Sequence, residues 1–252
     1  IDILMVTSIL GLSDTGIYTT AFYIGMIIDI PRRAISQISL PFISENIQKK
    51  NFKIIEDNYR EISINQMMIG ILLFNLIIVN LDNIYDLMPN SEKFISGKSV
   101  VGIIALSKII IMSFSYNSEI ISLSKYYRFT VLLIMILAIF TIGLNLILIP
   151  KYGMVGAAYS SLFAVLIFNI IKFIFLKIKM DISPFNYKPL LLTIIGILIY
   201  NLTVFIPNFK NPIIDIIINS FIISIIYLCL IIKLKLSPKF NSIFYNLIKL
   251  DR

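Results

Sequence analysis

The sequence predicts an all-α protein: a polytopic bundle of transmembrane helices, with about seven full spans and a truncated first span. Three observations carry this. Of 252 residues, 58% are hydrophobic and 14% charged, and mean hydropathy is +0.91; an ordinary soluble domain carries roughly 25% charged residues. The apolar residues fall in runs close to the roughly 20 that a helix needs to cross about 30 Å of hydrocarbon. The connections between runs alternate between rich and poor in Lys and Arg, as the positive-inside rule requires of a multi-pass chain.

Taken in order, residues 1–12 are too short for a crossing and read as the outgoing half of a span whose upstream part is missing. The run opens without a basic region or a small-residue cleavage site, so it does not read as a signal peptide. Full spans are expected at 17–40, 64–81, 100–122, 130–149, 154–176, 190–206 and 213–232. The segments GLSDTG, LMPNSEKF, PKYG and PNFKNP supply turn chemistry between them. Three units follow: a remnant at 1–12, a transporter-like bundle at 13–178, and two additional spans with a basic tail at 179–252.

Fifteen Lys and Arg fall on the side that holds residues 48–60 and the C-terminus, with Lys172 counted among them; only Lys93, Lys98, Lys151 and Lys210 fall on the other. That asymmetry places the long loop after Pro41 and the C-terminus in the cytoplasm. The tail KLKLSPKFNSIFYNLIKLDR reads as juxtamembrane lysines drawn to anionic membrane lipids.

The net charge of +8 does not indicate nucleic acid, because the cations follow the spans. With no histidine and the single cysteine Cys229, disulfide frameworks, Cys/His metal sites and histidine bases are excluded. No cofactor, metal or catalytic chemistry is expected. The acids Asp82, Asp86 and Glu92 read as a solvated face.

The informative residues are polar ones within spans. In DIPRRAISQISLPFIS the adjacent Arg32 and Arg33 follow Pro31 inside an apolar run. Tyr18, Phe22, Gly25, Asp29, Arg32, Ser36 and Ser39 recur at helical spacing and form one stripe, polar in its second half, that should face protein or water. Asp29 lies one turn before both arginines and can pair with either, while Arg33 is directed about 100° away from Arg32. Arg32 falls roughly 24 Å along the axis from Gly16, toward the cytoplasmic side. Two readings stay open there. The arginines snorkel to headgroups, or Arg32 lines an inward-open cavity, where its planar donors suit phosphate oxygens. Pro31 adds a kink or hinge.

Lys108 lies about eight residues into its span, too deep for easy snorkelling, and requires an anionic partner. Glu119, the acid of its own span, is eleven residues away, so a substrate anion or an acid from elsewhere is expected. Asn75, Asn117 and Asn145 suit helix–helix hydrogen bonds. Pro150 is expected to end a helix, Gly153 to allow a tight turn, and Gly156 to let neighbouring helices approach.

Three stretches together, GLSDTGIYTTAFYIG with the following IP and SLPFIS, then LSKYYRF, then NLILIPKYGMVGAAYSS, resemble the polysaccharide and oligosaccharide-lipid flippases. These belong to the exporter superfamily that also holds the multidrug/toxin extruders and the lipid II flippase. The resemblance implies the C-terminal half of a transporter of two six-helix bundles, with a missing N-terminal half as partner and two appended helices from residue 186. It implies a bacterial inner-membrane location, an undecaprenyl-pyrophosphate-linked sugar as substrate, alternating access and an ion gradient as drive. On this basis Arg32, Arg33 and Lys108 are the candidate substrate-binding residues and Asp29 the ion-coupling residue or charge partner. Pro31, Pro150, Gly153 and Gly156 are the hinge and turn positions. Rival readings are a small-drug exporter of the same superfamily, a non-transporting scaffold, and an isoprenoid-sugar transferase. Two arginines and a lysine against one aspartate favour an anionic substrate over a cationic drug.

Overall fold

The computed structural model describes residues 1–203, 206, 211–238 and 240–242. The PNFKNP turn before Asn211 and the tail from residue 243 lie outside the described residues, as do Lys210, Lys239, Lys249 and Arg252 among the counted cations. The described residues are almost wholly helical and contain no strand. In order the helices are α1 (Asp2–Leu10), α2 (Leu12–Met26), α3 (Ile30–Gln48), α4 (Phe52–Val79), α5 (Leu81–Asp86), α6 (Ser91–Phe94), α7 (Lys98–Phe114), α8 (Asn117–Leu123), α9 (Tyr127–Met180), α10 (Lys188–Leu202) and α11 (Pro212–Lys233).

Among the described residues, four helical stretches are long and apolar enough to cross a membrane: Phe52–Val79, Ser91–Phe114 (α6 and α7 joined by a 3₁₀ turn), Tyr127–Met180 and Pro212–Lys233. The difference from the expected seven spans has local causes. The run at 17–40 is divided: α2 ends at Met26, a 3₁₀ turn covers Ile27–Asp29, and α3 restarts with Pro31 in its first turn, where a missing N–H costs nothing. The run at 100–122 is divided at Ser115, whose φ of 37° and ψ of −104° break the helix. The run at 190–206 yields a 15-residue helix.

The runs at 130–149 and 154–176 are merged into α9, whose 54 residues would stretch about 81 Å if straight. The helix instead folds back at Gly153, where φ 60° and ψ −140° suit only glycine. Ser160 Oγ donates to the Thr141 carbonyl at 3.2 Å across the two arms, and a Cβ on Gly156 would collide with the Leu148 carbonyl oxygen. The arms are therefore antiparallel and in close contact. Pro150 does not end a helix as expected: the chain stays helical through it and the turn falls at Gly153. Pro41 likewise lies inside α3, which continues to Gln48; residues 49–51 alone link it to α4, so the expected long loop after Pro41 is absent.

Three apolar clusters hold the bundle. One joins α1, α2, α7 and α9 through Val6, Tyr18, Ile104, Ile149 and Ala157. A second packs α10 and α11 on α4 through Met67, Ile195, Ile199, Ile223 and Tyr227. The third gathers α3, α4, α8 and the end of α9 around Ile43, Tyr59, Ile120 and Leu176. Gly25 brings α2 against α7, since a Cβ there would lie 2.8 Å from Ile104 Cγ2. The first arm of α9 turns Val131, Leu132, Met135 and Ile139 outward, as a lipid-facing helix would.

Candidate functional site

The break between α2 and α3 organises the site. Asp29, 3% exposed, closes the 3₁₀ turn and receives both arginines. Arg32 Nε donates to Asp29 Oδ1 at 2.6 Å and Arg32 Nη2 to Oδ2 at 3.3 Å, while Arg33 Nε donates to Oδ2 at 2.8 Å. Because Asp29 draws in both guanidiniums, they share one carboxylate despite the expected 100° between them. The side chains differ in setting: Arg32 is 20% exposed and Arg33 57%. The stripe faces protein as expected. Tyr18, Gly25, Asp29 and Ser39 are buried, and Ser39 bonds the Tyr116 hydroxyl.

Lys108 on α7 sits over the Phe22 ring, 5.8 Å from its centroid, and its charge interacts with Asp29, Arg32, Arg33 and Asp2. The carboxylates whose charge acts on it include Asp2 on α1 and Asp29 in the α2–α3 turn.

Glu119 on α8 instead faces α3. Ser36 Oγ donates to its Oε1, Oε2 is buried without a hydrogen-bond partner, and its charge interacts with Arg32 and Lys172. Lys172, expected among the loop cations, is 3% exposed inside α9. Its Nζ donates to Ser118 Oγ at 2.5 Å and lies 3.6 Å from the Phe168 ring centroid, an arrangement that satisfies a buried cation without a carboxylate in contact. Asn117 donates to Asn169 Oδ1 at 2.9 Å beside it, fulfilling the helix–helix role expected of Asn117.

At the other end of the cluster lies Asp2, half-buried on α1. Asn145 Nδ2 donates to Asp2 Oδ1 at 2.8 Å and Ser161 Oγ donates to Oδ2, so both arms of α9 close on one carboxylate. Asn145 Oδ1 and the Tyr18 hydroxyl, both on fully buried side chains nearby, have no hydrogen-bond partner. Asn75, by contrast, donates to the Ile71 carbonyl of its own helix.

Asp2, Lys108, Asp29, Arg32, Glu119 and Lys172 thereby form a chain of interacting charges that runs from α1 through the two helix breaks to α9. Asp2, Glu119 and Lys172 were missed from the sequence. Asp2 sits in a run too short to count as a span. Lys172 shares one helix face with the buried Asn169 and Leu176, a polar pair in an apolar run that was a usable signal. With these included, four cations face three carboxylates, which corrects the expected excess of three cations over one. Pro31 opens the helix that carries Arg32 and Arg33, and Gly153 and Gly156 act as turn and packing residues.

Outside the spans, charge pairs are ordinary. Lys49 beside Glu45, and Lys177 beside Asp181, hold each carboxyl below its usual range by hydrogen bond and charge.

No protein-family model matches the chain, no curated protein matches it, and no solved structure matches its fold. The class its helices define is an all-α protein with several helices suited to crossing a membrane.

Proposed function

We propose that this chain is the C-terminal bundle of a flippase that moves an undecaprenyl-pyrophosphate-linked oligosaccharide across the bacterial inner membrane by alternating access, with its C-terminus in the cytoplasm. One observation carries the reading: Arg32 and Arg33 both ion-pair with Asp29 at a break within an apolar run, and the charge of Lys108 acts on the same carboxylate. Broken helices at membrane depth persist where they line a cavity or a protein interior. Two guanidiniums sharing one aspartate keep several N–H donors free for the oxygens of a pyrophosphate, which Lys108 supplements as a point charge. Asp29 holds the arginines in place until substrate arrives. No bond is made or broken.

Asp2 is the candidate for coupling to an ion gradient, because the unpartnered Asn145 Oδ1 and Tyr18 hydroxyl lie beside its carboxylate. Asp2→Asn is expected to abolish gradient-driven transport while leaving substrate binding intact, which separate binding and uptake measurements on vesicles resolve. The binding residues are tested by Arg32→Gln combined with Lys108→Gln. In the full transporter at normal expression, this double variant is expected not to complement a flippase-deficient strain; full complementation would overturn the assignment.

Asp2 and Glu119 also favour a second reading, export of a cationic small molecule. Transport that survives the Arg32 and Lys108 substitutions but fails with Glu119→Gln would select it.

A further inference from the structure

The stretch LSKYYRF, which the transport reading leaves without a role, joins α8 to α9 and is fixed in place from within. Ser124, 7% exposed, donates its Oγ proton to the Ile121 carbonyl at 2.8 Å and accepts from the Tyr126 N–H at 3.1 Å. Two rings turn inward onto Phe175 of the second arm of α9: Phe129 stacks on it with centroids 3.9 Å apart, and Tyr126 meets it edge-on at 5.3 Å. Lys125, Tyr127 and Arg128 are left exposed. Lys125 Nζ stands 5.1 Å from the Tyr126 centroid. Arg128 Nε donates to the Tyr127 hydroxyl at 3.3 Å, and its two terminal nitrogens have no hydrogen-bond partner among the described residues. Beyond Arg128 an open groove of about 540 Å³ follows the first arm of α9 as far as Ile139, walled by Val131, Leu132, Met135 and Ile136. The helical rise from 128 to 139 makes it about 16 Å long, the depth of one leaflet of a hydrocarbon core about 30 Å thick.

We propose that this groove seats an anionic phospholipid, phosphatidylglycerol, with its phosphate on Arg128 and Lys125 and one acyl chain along the apolar face of α9. Charge complementarity selects the occupant. Neither Lys125 nor Arg128 forms an ion pair among the described residues. The stacking of Phe129 on Phe175 sets the two arms level there, which brings Lys177 and Lys179 to the same end of the bundle. Asp181 is paired with Lys177, and Glu119 of α8 is turned to Ser36 of α3, so Lys125, Arg128 and Lys179 remain without a carboxylate in contact. The planar fork of Arg128 suits two phosphate oxygens, and Lys125 adds a point charge beside it. A zwitterionic headgroup would bring its own ammonium to three cations; a glycerol headgroup brings none. The site shares no residue with the charged cluster, so the inference stands apart from the transport reading.

The chain contains no tryptophan, so a single Ile136→Trp reporter in the groove gives an unambiguous fluorescence signal. The full chain carrying it is reconstituted in phosphatidylcholine vesicles and titrated with lipids brominated on one acyl chain, bearing glycerol, ethanolamine or choline headgroups. Half-maximal quenching is expected at a phosphatidylglycerol fraction about fivefold below that for either zwitterionic lipid, the selectivity of roughly one basic residue held against an anionic headgroup. Arg128→Gln should remove most of that preference and Lys125→Gln part of it, both at exposed positions where folding is undisturbed. A second reporter, Phe221→Trp on the exposed face of α11, should show no preference, because no such cation heads its surface. Identical curves for the three headgroups, an ethanolamine preference as strong as the glycerol one, or a glycerol preference untouched by both Gln variants would overturn the proposal. So would an equal preference at both reporters, which is the signature of diffuse surface attraction. Emission in unbrominated vesicles confirms that each variant has folded.

Discussion

Asp29→Asn is expected to lower the unfolding free energy of the protein by about 3 kcal/mol, the lower end of what removing one partner from a buried ion pair costs. The carboxylate is 5% exposed and serves two guanidiniums, so asparagine leaves Arg32, only 20% exposed, without an ion-pair partner in contact and with only the more distant charge of Glu119 to offset it. The lower end applies because Arg33, 57% exposed, can turn its guanidinium to water or headgroups, whereas Arg32 cannot. Adding Arg32→Gln to Asp29→Asn should therefore recover most of the loss, while adding Arg33→Gln should recover little. Denaturation in one detergent of the native chain, the three single variants and the two double variants, treated as two double-mutant cycles, measures this. Equal recovery by both would mean that the two arginines share Asp29 evenly, against the burial difference.

Gly156→Val should be as damaging for a different reason. Its Cβ would press on the Leu148 carbonyl oxygen and lie 2.5 Å from the Leu148 carbonyl carbon and 3.0 Å from the Ile149 nitrogen, all backbone atoms that no rotamer change can move. Overpacking a tight interface costs about 1–3 kcal/mol, and a clash with backbone belongs at the top of that range. The two arms of α9 must separate, losing the Ser160–Thr141 contact. With Cys229 replaced by alanine, a disulfide between Thr141→Cys and Ser160→Cys should form readily on the native Gly156 background and far more slowly with Gly156→Val. Equal cross-linking rates would refute the close packing of the arms at this glycine.

Much of the helical content was legible because hydropathy and length act locally. The run at 213–232 became α11 within a residue at each end, and the run at 64–81 falls in the longer α4 up to its end at Val79. Helix interruptions were legible in part: a turn was expected at Gly153 and a kink at Pro31, while Ser115 gave no signal and two further prolines misled. Pro41 and Pro150 are both accommodated inside helices, whereas the breaks fall at Gly153, at Ser115 and at the 3₁₀ turn before Pro31. The Asp29–Arg32–Arg33 group was readable from i, i+3 and i, i+4 spacing. The Asp2–Asn145–Ser161 group was not, because Asp2 is more than 140 residues from the other two and meets them only through packing of α1 on α9. Lys172 was misplaced for a related reason: position near the end of a run suggested water, while Ser118 and the Phe168 ring keep it inside.

The turn at Gly153 bears on biogenesis. A single glycine joins two long apolar arms whose contact surface includes the small residues Gly156, Ala157 and Ser160, all buried. Such a pair carries almost no polar loop to be translocated, Lys151 being the one charge beside the turn. The pair therefore favours insertion as a preassembled unit, the second arm following the first into lipid along a face already shaped to receive it. The order of synthesis then matters: α1, with the Asp2 carboxylate that both arms later enclose, is made before the pair whose Asn145 and Ser161 donate its hydrogen bonds.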